Sequence, residues 1–149
     1  MTLTFPPLAA GLDEAYESCR RETAEWAKTF YLGTLLLPPA KRRAIWAIYV
    51  WCRRTDELMD SPAAQALPPD TLLERLDAWE ERTRGLFKGR VGDSFDRVMV
   101  DTIERFPQPL QAYLDMIEGQ RMDVVKHRYA NFSDCLLYTS DAADDLLCV

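Results

Sequence analysis

Apolar residues recur in threes and fours along almost the whole chain, and no stretch alternates apolar with polar. From Leu12, the apolar or small positions Tyr16, Cys19, Thr23, Trp26 and Phe30 share one face until Gly33 and the Pro38-Pro39 pair. That spacing predicts one amphipathic helix. A second helix is expected from about Ala40 to Asp60, stopping at Ser61-Pro62, with a middle, AIWAIYVWC, apolar on nearly every side as in a helix buried in a bundle. After the Pro68-Pro69 loop, Thr71 and Glu74 have capping-box spacing, and Leu72, Leu76, Trp79 and Leu86 carry a third stripe towards Gly89. A shorter helix is expected after Asp93, with Phe95, Val98, Met99, Ile103 and Phe106 inward. Pro107 ends it, Pro109 suits the first position of the next, and Leu110, Tyr113, Leu114, Ile117, Val124 and Val125 line that one. The fold class is therefore all-α, with no internal repeat.

Composition narrows the function. A chain of 149 residues, 48% apolar and 28% charged, suits one soluble domain or a piece of one. The net charge of -6, with no Lys/Arg block standing clear of acids, argues against nucleic acid as a partner. Part of that acidity is local, since residues 136–149 hold Asp141, Asp144 and Asp145 and no Lys or Arg. Cys19, Cys52, Cys135 and Cys148 have no metal-ligand spacing and are too sparse for a disulfide scaffold, so they read as reduced and structural. No apolar run approaches the roughly 18 residues a membrane-spanning helix needs. The first 15 residues carry no basic residue and already contain Asp13 and Glu14, which fits neither a signal nor a transit peptide.

The candidate chemistry lies at the end of the second helix, in WCRRTDELMD, Trp51 to Asp60. A helix C-terminus carries partial negative charge, so each acid there costs about 0.3 to 1 kcal/mol, and like charges four apart cost a few tenths more. One reading is a solvated helix end compensated by Arg53 and Arg54. The other is a ligand site, because Asp56 and Asp60 follow directly on a helix too apolar for the surface, where carboxylates must be paired or hold metal. Two Asp with Cβ atoms about 5 to 6 Å apart cannot cage one small cation, but each can offer oxygens to Mg²⁺ completed by water and phosphate. Arg53 adds a fork of donors suited to the same anion. An acidic pair beside an apolar cavity is what ionising a prenyl diphosphate requires.

The segment AKTFYLGTLLLPPAKRRAIWAIYVWCRRTDELMD, Ala27 to Asp60, resembles the squalene/phytoene synthase family in its oxygenic photosynthetic, phytoene-forming branch, and DMIEGQRMDVVKHRYANF, Asp115 to Phe132, is similar to a second segment of the same enzymes. The likeness covers residues 12–134. It implies the N-terminal half of an all-α isoprenoid-synthase helical bundle that joins two geranylgeranyl diphosphates head to head, through prephytoene diphosphate, to 15-cis-phytoene. It also implies that Asp56 and Asp60 hold Mg²⁺ or Mn²⁺ against substrate diphosphate and that Arg53 binds diphosphate. Lys28, Thr29 and Phe30 fall where the family lines the diphosphate and prenyl pocket, Tyr49 at another substrate-facing position, and Asp123 at an acidic position near the active-site mouth. On the residues alone, Phe30 and Tyr49 equally suit core positions or cation-π shielding of a carbocation. Lys28 could be a solvated surface lysine, and Asp115, Glu118 and Asp123 one acidic helix face. His127 is assigned no catalytic role and is expected to be exposed. Lys41, Arg42 and Arg43 are expected to solvate their helix, with a lipid-surface contact as the alternative.

The likeness has two departures. Gln120 stands where the family has Met, and after NFSD the chain reads CLLYTSDAADDLLCV, residues 135–149, which resembles translated adapter sequence and lacks the second aspartate-rich motif of the family. The 149 residues alone are therefore expected to be inactive and poorly soluble, with an apolar face uncovered. The alternatives are a squalene or dehydrosqualene synthase, or a non-catalytic relative acting as an assembly factor, against which the intact DELMD stands. The resemblance places the enzyme on plastid or cyanobacterial membrane surfaces.

Overall fold

The computed structural model describes residues 11–130, and every regular element among them is helical. In chain order these are α1 (Leu12–Trp26), α2 (Lys28–Thr34), α3 (Pro39–Asp60), α4 (Pro62–Gln65), α5 (Pro69–Leu86), α6 (Ser94–Arg105) and α7 (Leu110–Asp123), and α7 passes into a π-helical turn, Val124–Arg128. The all-α expectation holds. The tail at residues 135–149, with Cys135 and Cys148, lies outside the described residues. The chain forms two compact units: one takes the chain up to Thr55 together with Glu81–Leu110, the other Asp56–Glu80 together with the chain from Gln111 onward.

In the first unit α1 packs against α2 and α6. Cys19, Ala47, Val50, Trp51, Phe95, Val98 and Met99 have no exposed surface. Buried polar groups must find partners, and here hydroxyls supply them. The Trp46 indole N–H donates to Thr34 Oγ1 at 2.8 Å and that of Trp51 to Thr83 Oγ1 at 3.2 Å, while the Tyr16 hydroxyl donates to Asp101 at 2.6 Å. At the start of α6, the Asp93 carboxylate accepts from the Asp96 N–H at 2.8 Å and caps the helix. In the second unit Met59, Ala64, Leu72, Leu76, Ile117 and Val124 make a smaller core.

The structure departs from the sequence pattern in four places. The stripe from Leu12 to Phe30 is two helices, because Ala27 adopts φ -144°, ψ 66°. Neither Gly nor Pro causes this break. Arg20, held by Glu17, donates to the Tyr31 hydroxyl at 3.1 Å, and Arg53 covers the Trp26 ring, so tertiary contacts outweigh helix propensity. The capping box at Thr71 and Glu74 does not form: α5 begins at Pro69, whose fixed φ suits a first turn, and the Pro68 carbonyl accepts from the Thr71 and Leu72 N–H groups. Pro109 immediately precedes α7 rather than opening it. Val125 is 57% exposed, because the π winding takes it off the buried stripe that Val124 keeps.

Arg42 and Arg43 also turn to structural work rather than to solvent alone. Arg42 donates to the Leu37 and Leu35 carbonyls at 2.9 and 3.3 Å, and Arg43 pairs with Asp13 at 2.6 Å while lying 4.3 Å from the Tyr16 ring centroid. Lys41 is exposed.

Candidate functional site

The first unit brings together Phe30, Tyr49 and Arg53. Ala27 ends α1 and lets Lys28, Thr29 and Phe30 open a new helix, where all three are exposed. Phe30 is 48% exposed and stacks on half-buried Tyr49, with ring centroids 5.6 Å apart. Among the described residues Phe30 is therefore not an enclosed core ring. Tyr49 and Arg53 lie one turn apart on α3, so their side chains share a face. Lys28 carries its ammonium on an exposed position at the amino-terminal end of α2.

Arg53 rests on two groups the sequence reading did not connect to it. Its guanidinium lies 3.5 Å from the centroid of the Trp26 ring, and its Nε stands 3.6 Å from Glu22 Oε1. The Glu22 side chain has no exposed surface and that of Arg53 is 19% exposed. A buried carboxylate thus backs a guanidinium whose face is covered by an indole. The signal was present in the sequence, since Glu22 interrupts the apolar face between Cys19 and Trp26. A charged residue on a buried stripe demands a partner. Trp26, expected to point inward, is 41% exposed.

The second unit holds Asp56 and Asp60, both exposed, on successive turns at the end of α3. In the first unit Arg53 meets Glu22 and Trp26, and the Arg54 guanidinium lies 4.7 Å from the Phe95 ring centroid. In the second unit the Gln120 amide donates to Asp56 Oδ1 at 3.0 Å, and Arg128 donates to Asp60 Oδ1 at 3.1 Å and to the Met59 carbonyl at 2.7 Å. Asp123 faces exposed His127 at 3.8 Å. His127 is exposed, as expected.

The donor set suits a hard cation in part. Two accessible carboxylates are the ligands Mg²⁺ takes when substrate phosphate and water complete its shell. Among the described residues no group of three or more His, Cys, Asp or Glu could hold a metal ion alone, so the remaining ligands must come from elsewhere. The cysteines add none: Cys19 is a buried thiol, which burial and the neighbouring Glu22 charge push well above the usual range, and Cys52 is half-buried. A cavity of about 160 Å³ beside Tyr16, Arg43, Asp101 and Arg105 contains none of the expected site residues.

An all-α chain with a stacked aromatic pair, a braced arginine and a D-x-x-x-D helix end defines a class that comparison with known proteins makes specific. The chain belongs to the squalene/phytoene synthase family, whose sequence model matches residues 23–148. It is 57% identical over 129 residues to the 15-cis-phytoene synthase of Synechocystis sp., covering 87% of this chain and 37% of that protein. To phytoene synthase 1, chloroplastic, of Arabidopsis thaliana it is 55% identical over 136 residues, covering 91% of this chain and 31% of the relative. To the phytoene synthase of Arthrospira platensis it is 54% identical over 125 residues, covering 84% and 39%. The chain thus spans about a third of the length of these curated relatives, 31 to 39%. Among the described residues, no helix is long and apolar enough to cross a membrane.

Proposed function

We propose that the protein carrying this chain is a 15-cis-phytoene synthase, joining two geranylgeranyl diphosphates head to head through prephytoene diphosphate. The observation that carries this reading lies in the first unit, where the Tyr49 ring stacks on Phe30 and Arg53 stands one turn further along α3; in the second unit Asp56 and Asp60 supply an exposed acidic pair. The aromatic pair, with Phe30 exposed and Tyr49 half-buried behind it, is suited to a prenyl chain and to shielding an allylic cation. Arg53 has the fork for a diphosphate, and Glu22 and Trp26 hold that fork so that less entropy is lost on binding. Lys28 and Thr29 are assigned to the same anion, and Asp123 to the mouth of the site.

Mg²⁺ or Mn²⁺, held by Asp56 and Asp60 through substrate diphosphate, would supply charge neutralisation on the leaving group. Residues 12–134 are assigned to the synthase domain, and 135–149 to a foreign tail on the composition of that segment, although the match to the family model runs on to residue 148. The exposed side chains of Leu32, Leu35 and Leu36 in the first unit suit contact with a lipid surface or with the remainder of a longer bundle. Plastid or cyanobacterial membranes are the location this reading assigns.

The test is product analysis with the whole protein, geranylgeranyl diphosphate and Mg²⁺. Phytoene is expected from the unaltered protein, none from Asp60→Asn, and none from residues 1–149 alone. A product formed only from farnesyl diphosphate would replace the reading with squalene or dehydrosqualene synthesis. No product from either substrate, with normal folding, would favour the non-catalytic assembly factor.

A further inference from the structure

Two aspartates at the carboxyl end of a helix repel each other and the partial negative charge of the last carbonyls. A carboxylate so placed turns into water unless something holds it. In the second unit, α7 and the π-turn after it supply a holder for each. The Gln120 amide donates to Asp56 Oδ1 at 3.0 Å. Arg128 Nη2 donates both to the Met59 carbonyl at 2.7 Å and to Asp60 Oδ1 at 3.1 Å, while Nη1 donates to Gln65 Oε1 at 3.2 Å. The Arg128 side chain is only 16% exposed, whereas that of Asp60 is 65% exposed. The arginine is the fixed member of the pair and the carboxylate the accessible one.

The π-turn accounts for both holders reaching the same helix end. Along an uninterrupted α-helix, the step from Gln120 to Arg128 would leave their side chains about 80° apart around the axis. The wider i→i+5 winding of Val124–Arg128 turns each residue through a smaller angle and brings Arg128 back towards the side Gln120 occupies. The exposure of Val125 is the cost of that rephasing.

We infer that Gln120 and Arg128 are positioning residues for the acidic pair. Each binds the Oδ1 oxygen of one aspartate and so fixes the direction of its carboxylate, and Arg128 also neutralises the α3 carbonyl end where the two negative charges lie. The inference rests on the reading of Asp56 and Asp60 as the holders of a metal-bound diphosphate. Groups that orient metal-binding carboxylates typically change metal affinity by 10- to 100-fold when removed.

The experiment is Mn²⁺ binding in the presence of inorganic pyrophosphate, followed by loss of the free-ion paramagnetic resonance signal, on the whole protein. Gln120→Met, which keeps the shape and cannot donate, and Arg128→Gln are each expected to weaken binding on the order of tenfold. Gln120→Met is expected to leave the thermal midpoint unchanged, which separates positioning from folding. Arg128→Lys, which keeps the charge but loses the fork, is expected to recover part of the loss. Unaltered or tighter Mn²⁺ binding in both Gln120→Met and Arg128→Gln, with Asp60→Asn still losing it, would overturn the positioning role and leave the site standing. Normal binding in Asp56→Asn and Asp60→Asn would overturn the site itself, and the inference with it.

Discussion

Glu22 changes what Arg53 can do. An arginine in water is free to reach an anion, but it must surrender its rotamers to do so. Here the carboxylate beneath and the Trp26 ring beside it have already ordered the guanidinium. Removing the carboxylate leaves a largely buried cation without its ion-pair partner. Glu22→Ala is expected to destabilise the protein by about 3 kcal/mol, the low end for breaking a buried pair because Trp26 still covers the guanidinium. Urea unfolding would measure this, and no loss would mean that Arg53 does not depend on Glu22. A second residue-scale effect is acid lability. Burial pushes the Asp93 carboxyl up, but the Asp96 N–H and the Arg82 guanidinium outweigh it and hold the group below its ordinary 3.8. A carboxyl lowered in the folded state adds stability that is complete above its unfolded value and disappears as pH falls through the folded one. Stability should therefore drop below about pH 4, and Asp93→Asn, which keeps the helix cap but not the charge, should flatten that part of the curve.

At the scale of elements, two glycines with equal room have opposite roles. Neither Gly33 nor Gly89 has an atom within 4 Å of where a Cβ would stand, but Gly89 has φ +81° and Gly33 lies inside α2. Gly89→Ala is expected to lower stability by about 1 kcal/mol through backbone strain alone. Gly33→Ala should raise it by several tenths, because alanine costs less entropy in a helix. Thermal unfolding of the two variants should shift the midpoint in opposite directions. The same contrast explains what was legible beforehand. Helices α3, α5 and α6 follow directly from the spacing of Trp46, Val50, Leu72, Leu76, Phe95 and Met99, since each buries its own stripe. The Ala27 break and the π-turn did not, because no local residue type demands either one. The first depends on Arg20 meeting Tyr31 eleven residues on, and the second leaves an ordinary apolar pair, Val124 and Val125, unlike in burial. Of the site, Asp56, Asp60, Arg53, Phe30 and Tyr49 were visible as types at helical spacing. Of their supports, Glu22 was signalled by its place on an apolar stripe, whereas its pairing with Arg53 and the roles of Gln120 and Arg128 could be recognised only once helices distant in sequence were side by side.

For the whole molecule, exposed apolar surface decides how the isolated chain behaves. Leu32 is 62% exposed and Leu36 90% exposed, beside half-exposed Phe30. Uncovered apolar groups at this density favour self-association. Leu32→Lys with Leu36→Lys is expected to raise the monomer fraction of residues 1–149 in sedimentation without lowering the unfolding midpoint, and an unchanged fraction would place the association elsewhere. The tryptophans offer a reading of a different kind. Of the four, Trp46, Trp51 and Trp79 are buried and Trp26 alone is open to water, beneath the guanidinium of Arg53. Light emitted by the three buried indoles reports folding, while the red-shifted component comes from the ring that Arg53 covers. An anion binding to that guanidinium over the ring should alter the colour and intensity of this component alone, so the chain carries an optical indicator for occupancy of its own arginine.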